Sequence, residues 1–322
     1  MKLLAALATL VVIGSGWAGP VWAQAFPNKA VRIVVPFPAG GSFDITSRIM
    51  AQRMGPALGQ NVLVENRPGG STIIATEYVA RLPADGYTLL VVGPSFVINP
   101  ALRTKLPFDP AKDFKAVSQT IALAMAIAVT PTMPVKSLKE LIALARSRPG
   151  EIAYGTSGTG TSHHLIAEQF GLVTKAKFVH TPYQGGAPAA VATVGGHSPM
   201  LLVNVAEMAP FIKSGKLRLL AVTSPQRDDL APGVPTMREA GFPAIEATNW
   251  SGIVIASAVP AEIVARLNAE IVRTLNLAEV RDLLKGQAIH ATPTTPEEFA
   301  TLLRTDAARY AKIAREANVK ID

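Results

Sequence analysis

Two stretches of this sequence carry the residue types that hold an anion without a fixed cation. The first is Pro36-Phe37-Pro38-Ala39-Gly40-Gly41-Ser42-Phe43-Asp44, which leaves an apolar run and opens an amphipathic one. Gly40 and Gly41 let the backbone come close to a ligand, and the first N–H groups of a helix have no internal partner. Such a helix start attracts carboxylate or phosphate. The alternative is an ordinary strand-to-helix turn in which Ser42 or Asp44 serves the helix end. The glycines form neither a GxGxxG nor a GxxxxGK[ST] pattern, so no nucleotide is implied.

The second stretch, Gly155-Thr156-Ser157-Gly158-Thr159-Gly160-Thr161-Ser162-His163-His164, repeats the device about 120 residues later. Two donor-rich helix starts from different units can face one anion across a cleft. A charge-assisted hydrogen bond contributes about 1.5–3 kcal/mol, so a few suffice for micromolar binding, about −8 kcal/mol. Lesser candidates are the turns Asn66-Arg67-Pro68-Gly69-Gly70-Ser71 and Gly93-Pro94-Ser95-Phe96, the segment Thr181–Gly186, and Asn204 at a strand end. Each alone reads first as structural, and Arg67 has a salt bridge to a neighbouring acid as its simpler role. The residues expected to line a ligand are Phe37, Ala39, Gly40, Gly41, Ser42, Asp44, Asn66, Ser95, Thr156, Gly158, Thr159, Thr161, Ser162, Tyr183 and Asn204. Phe43 and Phe96 are further guesses for the side chains that choose the solute.

Catalysis is the rival reading. Ser162 beside His163 and His164 suggests a hydrolase or lyase, but no GxSxG elbow surrounds it. Successive helical residues diverge by about 100°, which disfavours both a nucleophile–base pair and a two-histidine metal site. Five histidines and no cysteine leave few metal ligands. No catalytic residue, metal or cofactor is expected.

The elements that must position these loops follow from hydrophobic periodicity. Residues 31–35, 61–65 and 87–92 read as strands, with helices over 42–58 and 71–81 between them. This β-α-β-α-β order predicts a mostly parallel sheet with helices on both faces. A second such unit follows: strands at 122–129, 152–154, 178–181, 200–204, 217–223 and 250–256, and helices at 137–146, 161–172 and 187–194. Ser137 and Glu140 form a capping box. Amphipathic helices at 260–275 and 297–317 close the chain. The late return of the chain predicts two α/β lobes, one from 26–124 with 248–322 and one from 125–247, joined near 122–126 and 247–250. Open α/β sheets bind ligands beyond the carboxyl ends of their strands, where all these loops lie.

Export is expected from the first 25 residues. Lys2 gives a positive start, Leu3 to Ile13 is uninterruptedly apolar, and Val21-Trp22-Ala23 and Ala23-Gln24-Ala25 offer small-residue cleavage sites. An apolar run of about 11 residues falls short of the roughly 20 that span a bilayer. The absence of cysteine excludes disulfides, a thiolate nucleophile and an N-terminal lipid anchor. Removing Lys2 lowers the net charge from +8 to +7. The basic residues are scattered, with no Lys/Arg block, so no nucleic-acid partner is expected.

Taken together, several motifs in order resemble the tripartite tricarboxylate transporter receptors, also called the Bug family. They are Pro36-Phe37-Pro38-Ala39-Gly40-Gly41-Ser42-x-Asp44, Glu65-Asn66-Arg67-Pro68-Gly69-Gly70, Asp85-Gly86-Tyr87-Thr88-Leu89-Leu90 and Phe108-Asp109-Pro110-x-Lys112-Asp113-Phe114. Further ones are Gly158-x-Gly160-Thr161-Ser162-x-His164-Leu165, Pro182-Tyr183-x-Gly185, the run Gly215–Ser224 and Val234-Pro235-Thr236. The resemblance spans the chain beyond the signal. It implies a periplasmic two-lobed receptor of the periplasmic-binding-protein type with Venus-flytrap closure, a small carboxylate ligand held by the loops matching 36–44 and 156–164, and delivery to membrane permease subunits. A monomer without a cofactor is expected; a membrane sensor kinase is the other partner the same cleft would suit. Ala192 and Pro199 depart from the family pattern, where acidic residues are common.

Overall fold

The computed structural model describes residues 26–321, so the expected export signal lies outside the described residues. β1 (Val31–Val35) has four of its five residues buried, and the chain then turns into α1 (Ser42–Leu58). Gly59, in the left-handed region, ends that helix by donating to the carbonyls of Gly55 and Pro56. β2 (Val62–Asn66), α2 (Ile73–Ala80) and β3 (Thr88–Val92) complete the first unit, with β1 between β2 and β3, parallel to both. α3 (Ser95–Leu102) leads to β4 (Phe114–Val129), a 16-residue strand.

The second unit runs α4 (Leu138–Ser147), β5 (Ile152–Thr156), α5 (Ser162–Thr174), β6 (Phe178–Pro182), α6 (Gly186–Val194), β7 (Met200–Asn204), α7 (Val205–Lys213) and β8 (Arg218–Val222). The chain returns through β9 (Thr248–Ala256), α8 (Ala261–Leu275), α9 (Ala278–Gly286), β10 (His290–Ala291) and α10 (Pro296–Glu316). Strand order is β2-β1-β3-β9-β4-β7-β5-β6, with β8 and β10 also on β4. Both flanks are parallel; every antiparallel pair involves β4 or β9.

β4 serves two neighbours in succession. It pairs with β9 from Phe114↔Ala256 to Ala124↔Thr248, then with β7 from Met125↔Asn204 to Val129↔Met200. Its side chains alternate faces. Met125, Ile127 and Val129 enter the core formed with α5 and α10, while Ala124, Ala126 and Ala128 pack with β7, α6 and α7. A separate core joins β1 and α1 to α8 and α9 through Ile33, Met54, Leu267 and Leu284. Among the described residues, no helix is long and apolar enough to cross a membrane.

The helix starts obey local chemistry. Ser137 accepts the Glu140 N–H at 3.2 Å, and Thr295 with Glu298 forms a full capping box ahead of Pro296. β4 begins at Phe114, eight residues earlier than periodicity suggests. Ser118, Gln119 and Thr120 interrupt the apolar pattern, and two register shifts accompany them. The buried Ser118 and Thr120 are satisfied through Thr294 and Ser251, so the strand continues. α3 leaves no helical signal in the sequence because its polar Ser95 and Asn99 are half-buried and buried, its exposed residues are Pro100 and Ala101, and the proline lies inside it. The segment around Ala192 and Pro199 closes on a buried Thr193–Ser198 hydroxyl pair at 2.9 Å.

α2 starts at Ile73 rather than Ser71 because Gly69, Gly70, Ser71 and Thr72 all have positive φ. Thr72, at φ 78°, is β-branched and its buried hydroxyl has no partner. A left-handed non-glycine costs about 1–2 kcal/mol, partly offset by the extra backbone freedom that glycine brings to the unfolded chain. Thr72→Gly is therefore expected to raise stability by about 1 kcal/mol, a Tm gain of about 2–4 °C. Differential scanning calorimetry checks this, and a lowered Tm would contradict it.

Candidate functional site

The turn from β1 to α1 is locked from beneath. Asp44, almost fully buried, accepts the Gly40 N–H at 2.9 Å, Arg48 Nε at 3.0 Å and Asn66 Nδ2 at 2.9 Å. Asn66 Nδ2 also donates to the Phe37 carbonyl, and its Oδ1 accepts from Arg48 Nη2. Burial alone pushes the Asp44 carboxyl upward, but the bonds from Arg48, Gly40 and Asn66 outweigh it and hold the group below its ordinary value. Asp44 and Asn66 thus shape the loop, and the Gly40 N–H is already spent on Asp44. Gly41 caps α1 without any side-chain bond, so the first-turn N–H groups beside exposed Ala39, Gly40 and Gly41 are left facing outward. Phe37 packs edge-to-face on Phe43, with ring centroids 4.6 Å apart.

The turn from β5 to α5 is tied by its own hydroxyls. Thr161 caps α5, accepting the His164 N–H and donating to the Gly158 carbonyl at 2.8 Å. Thr156 Oγ1 lies 2.7 Å from His180 Nε2 and accepts the Gly158 N–H at 3.2 Å. Thr159 is exposed and Ser162 buried. The Tyr183 N–H donates to the Thr156 carbonyl at 3.1 Å, and its ring lies against Gly155.

Ser162 Oγ faces Asn249 Oδ1 at 3.5 Å, and Asn249 Nδ2 donates to Asn204 Oδ1 at 3.1 Å. His163 Nε2 lies 3.1 Å from the same Asn204 oxygen. That oxygen accepts, so Nε2 carries the proton and Nδ1 accepts from Ser157 Oγ at 2.6 Å. Asn249, His163 and Ser157 were absent from the expected set. His163 and Ser157 lie within the loop read from sequence; Asn249 lies in β9 with no motif around it.

β9 links the two turns. Asn249 meets Ser162, while a Cβ on Gly93 would lie 2.8 Å from the Phe43 ring and 3.3 Å from the Trp250 carbonyl. Asn249 therefore touches the start of α5, while the next residue, Trp250, reaches the start of α1 only through Gly93. Ser95 opens α3 two residues beyond Gly93, half-buried, and Asn204 ends β7 as the N-cap of α7. Arg67 pairs with Glu65 and lies over the Tyr78 ring at 3.7 Å, away from a ligand role. Surface concavities of about 540 and 530 Å3 lie at the end of α1 and beside Thr130 and Gly195, apart from both turns.

The histidines do not make a base. Burial lowers His163 to about 4, and burial with the His180 ring stacked 3.8 Å away lowers His164 to about 3. His164 Nδ1 accepts from the Gly160 N–H, so it does not meet Ser162. The Ser157–His163–Asn204 line has the contacts of a nucleophile and base, but an imidazole at about 4 is a weak base and Asn204 carries no charge to steady an imidazolium. Among the described residues no cluster of three metal-ligating side chains occurs.

Beneath Asn204 lies Glu207, whose Oε2 accepts the Asn204 N–H at 3.1 Å and occupies the space a Cβ on Gly186 would need. Burial pushes its carboxyl up to about 7, against the pull of Asn204. With the folded value above the unfolded one, the unfolded chain ionises first, so stability falls as pH rises from about 4.5 to 7. Glu207→Gln keeps the acceptor and removes that charge. It is expected to flatten this slope and to stabilise the protein by up to about 3 kcal/mol at pH 8, with little change at pH 4.5. Urea titrations at the two pH values test it; equal effects at both would refute the assignment.

A model of the tripartite tricarboxylate transporter family receptor matches residues 46–319. The protein BugT of Bordetella pertussis is 32% identical over 323 residues, covering 100% of this chain and 99% of its own. The structure of Rpa4515 of R. palustris with adipate is 32% identical, with TM-score 0.83 over 92% of this chain and 99% of that one. MatC of Rhodopseudomonas palustris with bound malate is 28% identical, with TM-score 0.79 over 89% and 99%.

Proposed function

Since the chain belongs to the tripartite tricarboxylate transporter receptor family of periplasmic solute-binding proteins, not enzymes, we propose that it captures a small carboxylate between two lobes and delivers it to the membrane permease of such a transporter. The lobes are residues 26–124 with 248–322 and residues 125–247, and the chain crosses between them within β4 and at the start of β9. Residues 1–25 act as the export signal.

One carboxylate sits between the two helix starts. Ala39, Gly41 and Ser42 present backbone N–H groups from the first lobe, and Thr159 and Ser162 present hydroxyls from the second. Ser95, Tyr183 and Asn204 face the remainder of the solute. Asp44, Asn66, Thr156, Gly158 and Thr161 keep the turns in shape. The observation that carries this reading is the placement of β9, where Asn249 meets Ser162 at the start of α5 and the Trp250 carbonyl lies against Gly93, on which Phe43 of α1 packs. Neutral donors and helix starts suit an anion and leave no group to attack it.

Isothermal titration calorimetry against a panel of aliphatic and aromatic mono- and dicarboxylates, adipate and malate included, tests the proposal. At least one acid is expected to bind with a micromolar Kd, about −8 kcal/mol, while its amide does not. Equal binding of acid and amide, or no binding across the panel, would overturn the reading.

A further inference from the structure

Beyond α10 the chain reverses and runs under the β5–α5 turn. Asn318, in the left-handed region at φ 52°, starts the reversal, and the Val319 N–H donates to the Ala314 carbonyl at 2.9 Å. The Ile321 N–H then donates to the Leu102 carbonyl at 3.0 Å, at the end of α3. Its side chain reaches the other unit. A Cβ on Gly160 would lie 2.2 Å from Ile321 Cδ1 and 2.9 Å from Leu102 Cδ1. Gly160, buried and at φ 74°, thus leaves a notch that Ile321 and Leu102 fill.

We propose that Ile321 is a positioning residue that holds the Thr159-Gly160-Thr161 turn against α3 and so sets the closed spacing of the cleft. This rests on the two-lobe capture reading above. Gly160 lies between Thr159 and the Thr161 cap, so the backbone that Ile321 presses is the backbone that presents the donors. α3 carries Ser95 at its start and Leu102 at its end, so the same short helix connects the notch to the cleft. Opening the lobes withdraws Gly160 from Ile321 and exposes apolar surface that closure buries again. The hydrogen bond to Leu102 keeps Ile321 with the first lobe during that movement.

The cysteine-free chain allows clean labelling. Spin labels on Gln52→Cys in α1 and Lys139→Cys in α4, both exposed positions, report the spacing between lobes. Ile321→Ser, measured without any ligand, is expected to shift the distance distribution to longer values, and Ile321→Val to restore it. A distribution unchanged by Ile321→Ser overturns the positioning role, whether or not any acid binds. A general loss of structure would instead appear as a lowered Tm in both variants, and that outcome also counts against the proposal. Stopped-flow binding of adipate and malate adds a second readout. Ile321→Ser is expected to raise the dissociation rate at least threefold with the association rate unchanged, whereas failure of both acids to bind the unaltered protein, with the distance shift intact, bears on the capture reading alone.

Discussion

Gly41→Trp is expected to abolish carboxylate binding, at least a hundredfold in Kd, with Tm changed by less than about 2 °C. The backbone at Gly41 has φ −78° and ψ 165°, which any residue adopts. A Cβ there meets only the Pro38 carbonyl, at 3.8 Å, and the position is exposed, so the side chain has an open start. Its indole would lie over the first-turn N–H groups of α1 and exclude an anion from them. Two charge-assisted bonds at about 1.5–3 kcal/mol each make a loss of a hundredfold or more the natural scale. Gly40→Ala is the informative contrast. Gly40 sits at φ 85°, where an alanine costs about 1–2 kcal/mol, so that variant loses stability as well as affinity. Calorimetric titration paired with a thermal melt separates the two, and retained affinity in Gly41→Trp would move the ligand elsewhere.

Much of this architecture is legible in the sequence, because the strands and helices that frame the turns obey their periods. Leu267, Ile271 and Leu275 recur at helical spacing and are buried in α8. β7 occupies residues 200–204, as its apolar run suggests. The two turns are readable for a related reason: glycine and hydroxyl residues between a strand and a helix mark a turn. What sequence could not convey is which polar atoms are already spent. Asp44 looks like a ligand residue until its three bonds to Gly40, Arg48 and Asn66 are counted. Asn249 is invisible for the opposite reason. It stands in a strand, beside a tryptophan, and acquires its role only when β9 brings it to Ser162 and Asn204. Ile321 is a third kind of case, since a contact across more than 150 residues of chain leaves no local pattern.

Trp250 follows Asn249 in β9, and Trp250→Ala is expected to cost about 3–5 kcal/mol. Trp250 is 1% exposed, packs edge-to-face on Phe299 at 5.5 Å, and donates its indole N–H to Asp306 Oδ2 at 2.6 Å. Truncation leaves a cavity at the centre of β9 and deprives a buried carboxylate of its donor. Against a total of about 5–15 kcal/mol this is a large share, and urea unfolding should show it as a lower midpoint. The two contributions separate by pH. Burial already raises the Asp306 carboxyl above its ordinary value, opposed by the Trp250 bond and by Arg309. Trp250→Phe keeps an aromatic ring against Phe299 but removes the N–H, so the folded value rises further. The unfolded carboxyl is the same in both proteins, so the deficit relative to the unaltered protein grows as pH rises through the unaltered protein's folded value, which already lies above the ordinary carboxyl range. A deficit that is the same at pH 4 and pH 7 would mean that ring packing alone, and not the bond to Asp306, holds Trp250 in place.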